Sequence, residues 1–399
     1  MSRAGLAVAA SSTSECPAEA RDPHLGALAV LWAACAVGVD PAQLRSLAES
    51  LDPATDGPWL TSVAAINRVG PLLWHVLSDA GCPQVLGSGA EPLRRLAVAQ
   101  DLEATAVVPL TLKRAVEPLT GAGLEPLVLK GPLLARRYPA AGLRPMDDLD
   151  LLLPRRQHDQ AVAVLTSSGW VVRRRRHVDR YDTVLVHEQT PSLPLELHAG
   201  LQTFYEWATS LRAPVIWGHR QPVEVDGTAA FGLDPEIELV TIAAHAAKPF
   251  HGFSRMIWAV DLAVVVEHAA ASRGVDWDRL CQLARRWRCA SAVGVGLTLA
   301  RRLGARVPEE VLRTLCGEWA VWQRRALAPV LAPTWPAVGT FSVAFHVRFA
   351  LADTAVHRLA LAAGAAYQMP WAERLAWPAV GLGRAARRWQ QLHGGPQVR

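Results

Sequence analysis

Apolar positions recur at three- and four-residue spacing from Leu25 to about Gly123, the period that lines one face of a helix. Glu91 to Leu119 keeps that spacing longest, with Arg94, Arg95, Lys113 and Arg114 as its polar complement. Pro109 and Pro118 are expected to kink or end helices there, and Gly121-Ala122-Gly123 to stop the last one. The pattern then shortens. Pro126-Leu127-Val128-Leu129 reads as a buried strand, Leu133 to Arg137 as the start of a short helix, and Asp147 to Leu153 as a second strand. Alternation on that second strand puts Asp148, Asp150 and Leu152 on one face and Leu149, Leu151 and Leu153 on the other. Arg156 to Ser167 predicts a helix ending at Gly169, and Trp170–Arg174, Tyr181–Val186 and Leu193–His198 predict further strands. Asp234-Pro235 is a cap followed by proline at the first helical position, and helices are expected near 235–248, 255–270, 276–288, 290–304 and 308–319.

This order predicts an α+β protein: a small mixed sheet with helical regions before and after it. It divides the chain into a flexible lead (1–24), an N-terminal helical region (25–123), a sheet-bearing core (124–233) and a C-terminal helical region (234–399). A cleft is expected between the sheet and the helices after residue 235.

Composition narrows the class without choosing a function. The 399 residues are 51% apolar, enough for the cores of about two or three domains, and 19% charged, which argues against wholesale disorder. A formal net charge of +5 is mild and compatible with a nucleotide, a nucleic acid or neither. Cys16, Cys35, Cys82, Cys281, Cys289 and Cys316 form no CxxC pair and no zinc-spaced cluster, a scatter that suits a reducing compartment. The apolar stretch Leu6–Ala10 is too short for a signal-peptide core, and no uncharged apolar run is long enough to span a bilayer. A soluble cytoplasmic protein is expected.

The candidate chemistry lies in three segments: Leu129-Lys130-Gly131, then Arg144-Pro145-Met146-Asp147-Asp148-Leu149-Asp150-Leu151-Leu152, then Leu195-Glu196-Leu197-His198. Two carboxylates at i and i+2 on a strand point the same way. Buried together without a cation they would cost several kcal/mol. Mg²⁺ (or Mn²⁺) is the natural partner, because it prefers carboxylate oxygen and completes its shell with water and substrate phosphates. A third carboxylate from a neighbouring strand, Glu196, would let the site hold two ions roughly 3.5–4 Å apart. The plain alternative puts Asp148 and Asp150 on a solvated edge strand, but four leucines embed the pair in an apolar run.

The order LKG, then R-P-M-x-D-L-D-L-L, then L-E-L-H resembles the uncharacterised nucleotidyltransferase group of the DNA-polymerase-β-like superfamily. A downstream segment is similar as well: His245-Ala246-Ala247-Lys248, then Arg255-Met256-Ile257-Trp258-Ala259-Val260-Asp261-Leu262. The resemblance covers about residues 90–300. It implies that Asp148 and Asp150 are the paired metal-binding carboxylates and that Glu196 is the third, which helps activate the attacking hydroxyl. It puts Gly131 where the backbone approaches a triphosphate. The superfamily more often has serine beside that glycine; this chain has Lys130 before it and Pro132 after it, and Lys130 could itself take a phosphate oxygen. The implied reaction is attack on the α-phosphorus of a nucleoside triphosphate such as ATP, with pyrophosphate leaving.

Other residues carry two readings each. Arg144 either contacts the triphosphate or pairs with Asp147 or Asp148. His198, two residues past Glu196, either orients a carboxylate or substrate or is structural. His245, Lys248 and Arg255 are expected to wall a nucleotide site, whereas Trp258 and Asp261 suit helix packing with an Arg255–Asp261 or Lys248–Asp261 ion pair. The Arg173–Arg176 run reads as a solvated strand end. No aromatics interleave it, so a nucleic-acid partner is not expected. Three functions remain open at this point: nucleotidyl transfer to a small molecule, peptide or protein; a catalytically weak nucleotide-binding or regulatory protein on the same fold; and a helical interaction protein.

Overall fold

The computed structural model describes residues 24–175, 182–200, 211–248, 251–336, 347, 349–355 and 358–359. The expected flexible lead, most of the last eighty residues, Arg176 of the arginine run and Tyr181 lie outside these. Helices α1 (Leu25–Ala34), α2 (Pro41–Ala48), α3 (Asp56–Ile66), α4 (Gly70–Asp79), α5 (Ala90–Leu102) and α6 (Val108–Gly121) come first. The sheet-bearing stretch follows: β1 (Leu127–Leu129), α7 (Gly131–Ala135), β2 (Leu149–Leu152), α8 (Arg155–Ser167), β3 (Trp170–Arg174), β4 (Asp182–His187), β5 (Thr190–His198), α9 (Ala213–Trp217), β6 (Gln221–Val225) and β7 (Thr228–Gly232). Helices then return as α10 (Pro235–Ala246), α11 (Ile257–Ala270), α12 (Trp277–Arg286), α13 (Ala290–Arg302), α14 (Glu309–Cys316) and α15 (Val321–Leu331). The protein is α+β, with a mixed sheet flanked on both sides in sequence by helices.

Local chemistry explains several boundaries. The Asp234 side chain accepts from the Ile237 amide at 3.0 Å with Pro235 behind it, so α10 starts where its cap dictates. Pro109 falls in the first turn of α6, directly after a wide π-type turn over Glu103–Val107. A proline there lacks the N–H that would tie it to the preceding turn, and a widened turn absorbs the mismatch. Pro118 sits inside the last turns of α6, and the helix continues past it to Gly121. Gly123 then takes φ 74°, the left-handed conformation that ends a helix.

The seven strands form one sheet in the order β3-β4-β5-β2-β1-β7-β6. The β6–β7 hairpin has no counterpart among the strands read from the sequence, because Gln221–Val225 mixes exposed and half-buried positions without a long apolar run. Period-two alternation divides the central strands between two cores. Val128, Leu149, Leu151, Leu195 and Leu197 pack with Leu112, Val116 and Leu119 of α6 and Ala161 and Leu165 of α8. Leu127, Leu129 and Leu152 point the other way and join a larger core built from the N-terminal helices and α10, α11 and α13. Asp150, which shares the face of Leu152, and its cross-strand partner Glu196 sit on this second face, whereas Asp148, expected on the same strand, lies just before β2 begins at Leu149.

Two buried links fix that helical side. Asn67, at the end of α3, accepts from the Met256 amide with its side-chain oxygen at 3.0 Å, and its carbonyl accepts from the Ile257 amide at 3.2 Å. Asn67 thereby supplies acceptors for the first amides of α11, which lacks a capping side chain of its own. From the other side, Trp335 donates its indole N–H to the Phe253 carbonyl at 2.9 Å. The 251–256 segment is thus held by residues far from it in sequence.

Candidate active site

Strand register assembles the site. Asp150 on β2 pairs directly with Glu196 on parallel β5, and Leu152 with His198. Cross-strand partners share a face. Asp150 and Glu196 therefore project together, with His198 one step farther along β5. On the other side of β2, antiparallel β1 sets Leu129 opposite Asp150, which delivers Lys130 at the strand end to the same place.

The contacts are short. His198 Nε2 donates to Asp150 Oδ1 at 2.7 Å and lies 3.7 Å from Glu196 Oε2. Lys130 Nζ donates to Asp150 Oδ2 at 2.7 Å and to His245 Nδ1 at 3.3 Å. Arg174 on β3 lies 3.7 Å from Glu196 Oε1. Lys130 adopts φ 49°, ψ −121° and Gly131 φ 29°. Glycine accepts such angles readily, whereas a side-chain-bearing residue there stores strain of order 1–3 kcal/mol. The strained turn directs the lysine stem across the end of the sheet.

Charges at this face do not balance. Burial, the neighbouring Asp150 charge and Glu196 push the Asp148 carboxyl up to about 6, although Lys130 and His198 oppose them. Burial alone would raise Asp150 too, but the Lys130 ammonium and the His198 hydrogen bond outweigh it and hold this carboxyl well below the usual range. Opposite, burial and the Lys130 charge bring Lys248 down to about 8. Burial with Lys130 and Lys248 likewise keeps His245 well below its ordinary value. Acids crowd acids at the ends of β2 and β5, and the Lys130 charge at the end of β1 bears on both Lys248 and His245.

The other expected residues fall in different places. Arg144 does not reach Asp147 or Asp148. Its Nε and Nη2 donate to both oxygens of buried Asp261 at 2.8 and 2.9 Å, and the Tyr138 hydroxyl donates to the same carboxylate at 2.8 Å. Asp261 is therefore paired with neither Arg255 nor Lys248. The clamp ties the loop before β2 to α11. Asp147 pairs instead with Arg68. Arg255 precedes α11, which starts at Ile257, and it is exposed beside Arg68 and Asp147. The exposed arginines of β3 include Arg174, which pairs with Asp182.

Two residues absent from the sequence reading join the wall. His251 stacks on Trp258 with ring centres 4.7 Å apart and donates Nδ1–H to the His245 carbonyl at 3.0 Å. Arg68 pairs with Asp147, the residue before Asp148. Neither carries a periodic or motif signal, and only the proximity of His251 to the His245–Lys248 pair hinted at it.

The donor set fits a divalent cation. Asp150, Glu196 and His198 each present one ligand atom, and these atoms lie within 4.8 Å of one another. Asp148 adds a carboxylate raised first by burial and then by the Asp150 charge, and a cation beside it would favour its ionised form.

A family model described as an uncharacterised nucleotidyltransferase matches residues 53–305, more than half of the chain. The chain belongs to this family. No curated protein and no solved structure matches it. The matched range takes in the sheet, the acidic face, the Arg144–Asp261 clamp and the His245–Lys248 wall, and it begins before Asn67 and Arg68. Among the described residues no helix is long and apolar enough to cross a membrane, and the cysteines Cys35, Cys82, Cys281 and Cys316 form no disulfide.

Proposed function

We propose that this protein transfers a nucleoside monophosphate from a nucleoside triphosphate, with ATP as the first candidate, to a hydroxyl or similar group on a small molecule, peptide or protein. The observation that carries the reading is the register of β2 on β5, which gathers Asp150, Glu196 and His198 into one donor set beside Asp148. Family membership supports the same reaction class. Buried Cys35, Cys82 and Cys281, none of them in a disulfide, accord with a reducing, cytoplasmic setting.

Asp148, Asp150 and Glu196, with His198 beside them, would hold Mg²⁺ or Mn²⁺. Such a cation, when bound, stabilises charge on the attacking and leaving oxygens. The chain's own groups do the rest. Lys130 and Lys248 face the acids and supply positive charge for phosphate oxygens. Glu196 is more open than Asp150, with side chains 27% and 7% exposed, so it is the carboxylate best placed to receive the acceptor proton. A bond forms from the acceptor oxygen to the α-phosphorus, the α–β bridging P–O bond breaks, and pyrophosphate departs. Arg144, engaged by Asp261, positions the loop that carries Asp148 and does not itself reach phosphate. His245, which accepts from Lys130, orients that lysine.

The test uses α-labelled nucleoside triphosphates with Mg²⁺ or Mn²⁺ and fractionated cell extract as the source of acceptor. Label transfer with pyrophosphate release is expected from the wild type and not from Asp150→Asn. Nucleotide binding that yields neither product in any fraction would favour the weakly catalytic, regulatory alternative.

A further inference from the structure

Both oxygens of Asp150 are engaged by the protein itself: Oδ1 by His198 Nε2 and Oδ2 by Lys130 Nζ, each at 2.7 Å. A cation bound at Asp150 needs at least one of those oxygens. The two donors differ in their freedom to leave. His198 ends β5 but its backbone is paired on both sides, with Leu152 of β2 and Asp182 of β4, and its ring also neighbours Glu196. Lys130 stands at a strand end on a flexible four-carbon stem, 21% exposed, between the acids and the His245 ring. Its backbone is held at φ 49°, ψ −121°, next to Gly131 at φ 29°. A strained conformation at a non-glycine residue persists only where the surroundings enforce it, and it is a recurrent mark of functional sites.

We propose that Lys130 is an internal counter-ion that exchanges partners: its ammonium neutralises Asp150 until a divalent cation and a triphosphate bind together, and then moves to a phosphate oxygen. The inference rests on the nucleotidyl-transfer reading of this face. It adds an order of events to that reading, since cation and triphosphate must bind cooperatively. A cation alone competes with the ammonium for Asp150 and gives it no new partner. A triphosphate arriving with the cation gives Lys130 one. By linkage, each then tightens the other by the same factor. The Lys130 charge near Lys248, which follows α10, points the same way, because an added anion relieves both cations.

The counter-ion role predicts effects of opposite sign from one substitution. Lys130→Met should bind Mn²⁺ alone at least tenfold more tightly than the wild type, because Asp150 Oδ2 becomes available. The same variant should bind tripolyphosphate more weakly and lose most of the mutual tightening between tripolyphosphate and Mn²⁺. Lys248→Met is the control for removal of a nearby charge that does not touch Asp150, and its gain in Mn²⁺ affinity should stay below threefold. Lys130→Gly is a second variant that removes the ammonium and also suits the positive φ, so it keeps the test informative if Lys130→Met folds poorly.

Mn²⁺ binding is read by electron paramagnetic resonance titration of the full chain, with and without tripolyphosphate, and with Lys130→Met/Asp150→Asn to place the ion. Tight Mn²⁺ binding by Lys130→Met that the double variant loses supports the exchange. Equal or weaker Mn²⁺ binding by both Lys130 variants would overturn it while leaving the metal-site reading intact. No Mn²⁺ binding by any protein, with or without tripolyphosphate, would overturn both.

Discussion

Two buried charged clusters lie on the same side of the sheet and behave as opposites. In the first, Asp261 receives Arg144 through both oxygens and the Tyr138 hydroxyl as well, so each charge has an equal and opposite neighbour. Burial would lower Arg144, yet the Asp261 carboxylate reverses that and raises it, so the guanidinium stays charged. In the second, Asp148, Asp150 and Glu196 lie near Lys130 and Lys248, and the charges are left partly uncompensated: burial first, and the like charge of a neighbour second, push Asp148 up to about 6 and Lys248 down to about 8. A satisfied cluster joins elements together. An unsatisfied one, where like charges are held close by a rigid sheet, is a place where a further charged species gains binding energy. The difference separates two arginine- and lysine-bearing motifs that look equally catalytic in one dimension.

The comparison can be broken from either side. The largest effect is expected at the unbalanced cluster. Asp150→Asn should cut pyrophosphate release by about 10⁴-fold, several kcal/mol of lost charge stabilisation at 1.36 kcal/mol per decade, with a modest fall in melting temperature because Lys130 and His198 lose the carboxylate they engage. A fall in melting temperature as large as that of a core mutant would instead make Asp150 structural. At the balanced cluster, Asp261→Ala strands the Arg144 guanidinium and should cost about 3–5 kcal/mol of stability by denaturant titration. The paired change Arg144→Leu/Asp261→Leu should cost much less than the sum of its parts, and simple additivity would refute the clamp. Smaller again, Lys248→Met should weaken nucleotide binding by about 10–100-fold, the range for one charge-assisted contact. Calorimetry that finds no change would remove Lys248 from the nucleotide wall.

Proton competition gives the smallest effect. Asp148 binds a proton below about 6, and a cation needs the carboxylate, so Mn²⁺ affinity should rise with pH up to about 6 and level off above it. Each unit below that value should cost up to about tenfold. An affinity that is flat from pH 5 to 8 would mean that Asp148 does not bind the ion.

Some of this was legible along the chain. The leucine run marked the strand that carries Asp150, although β2 begins at Leu149 and leaves Asp148 just before it, and Asp234-Pro235 announced α10 by its cap. The expected helices after residue 235 recur within a few residues of Pro235–Ala246, Ile257–Ala270, Trp277–Arg286, Ala290–Arg302 and Glu309–Cys316. Other features left no local trace. Whether Arg144 contacts a phosphate or a carboxylate depends on a residue 117 positions away. The role of Asn67 depends on one 189 positions away. The β6–β7 hairpin escaped because its strands are short and only partly buried.

The sequence by itself determined periodicity, caps and the direction of neighbouring side chains, because these follow from dihedral preference and from which positions leave water. It therefore settled the α+β order and the strand that carries Asp150. Which charges meet was decided only by the tertiary structure. Ion pairing depends on distance and burial, and the strand register and helix docking that set both are made by contacts between distant segments. Arg144 and Lys130 carry the same sign in similarly motif-like surroundings, and packing alone gave one a permanent partner in Asp261 and the other a place beside Asp150.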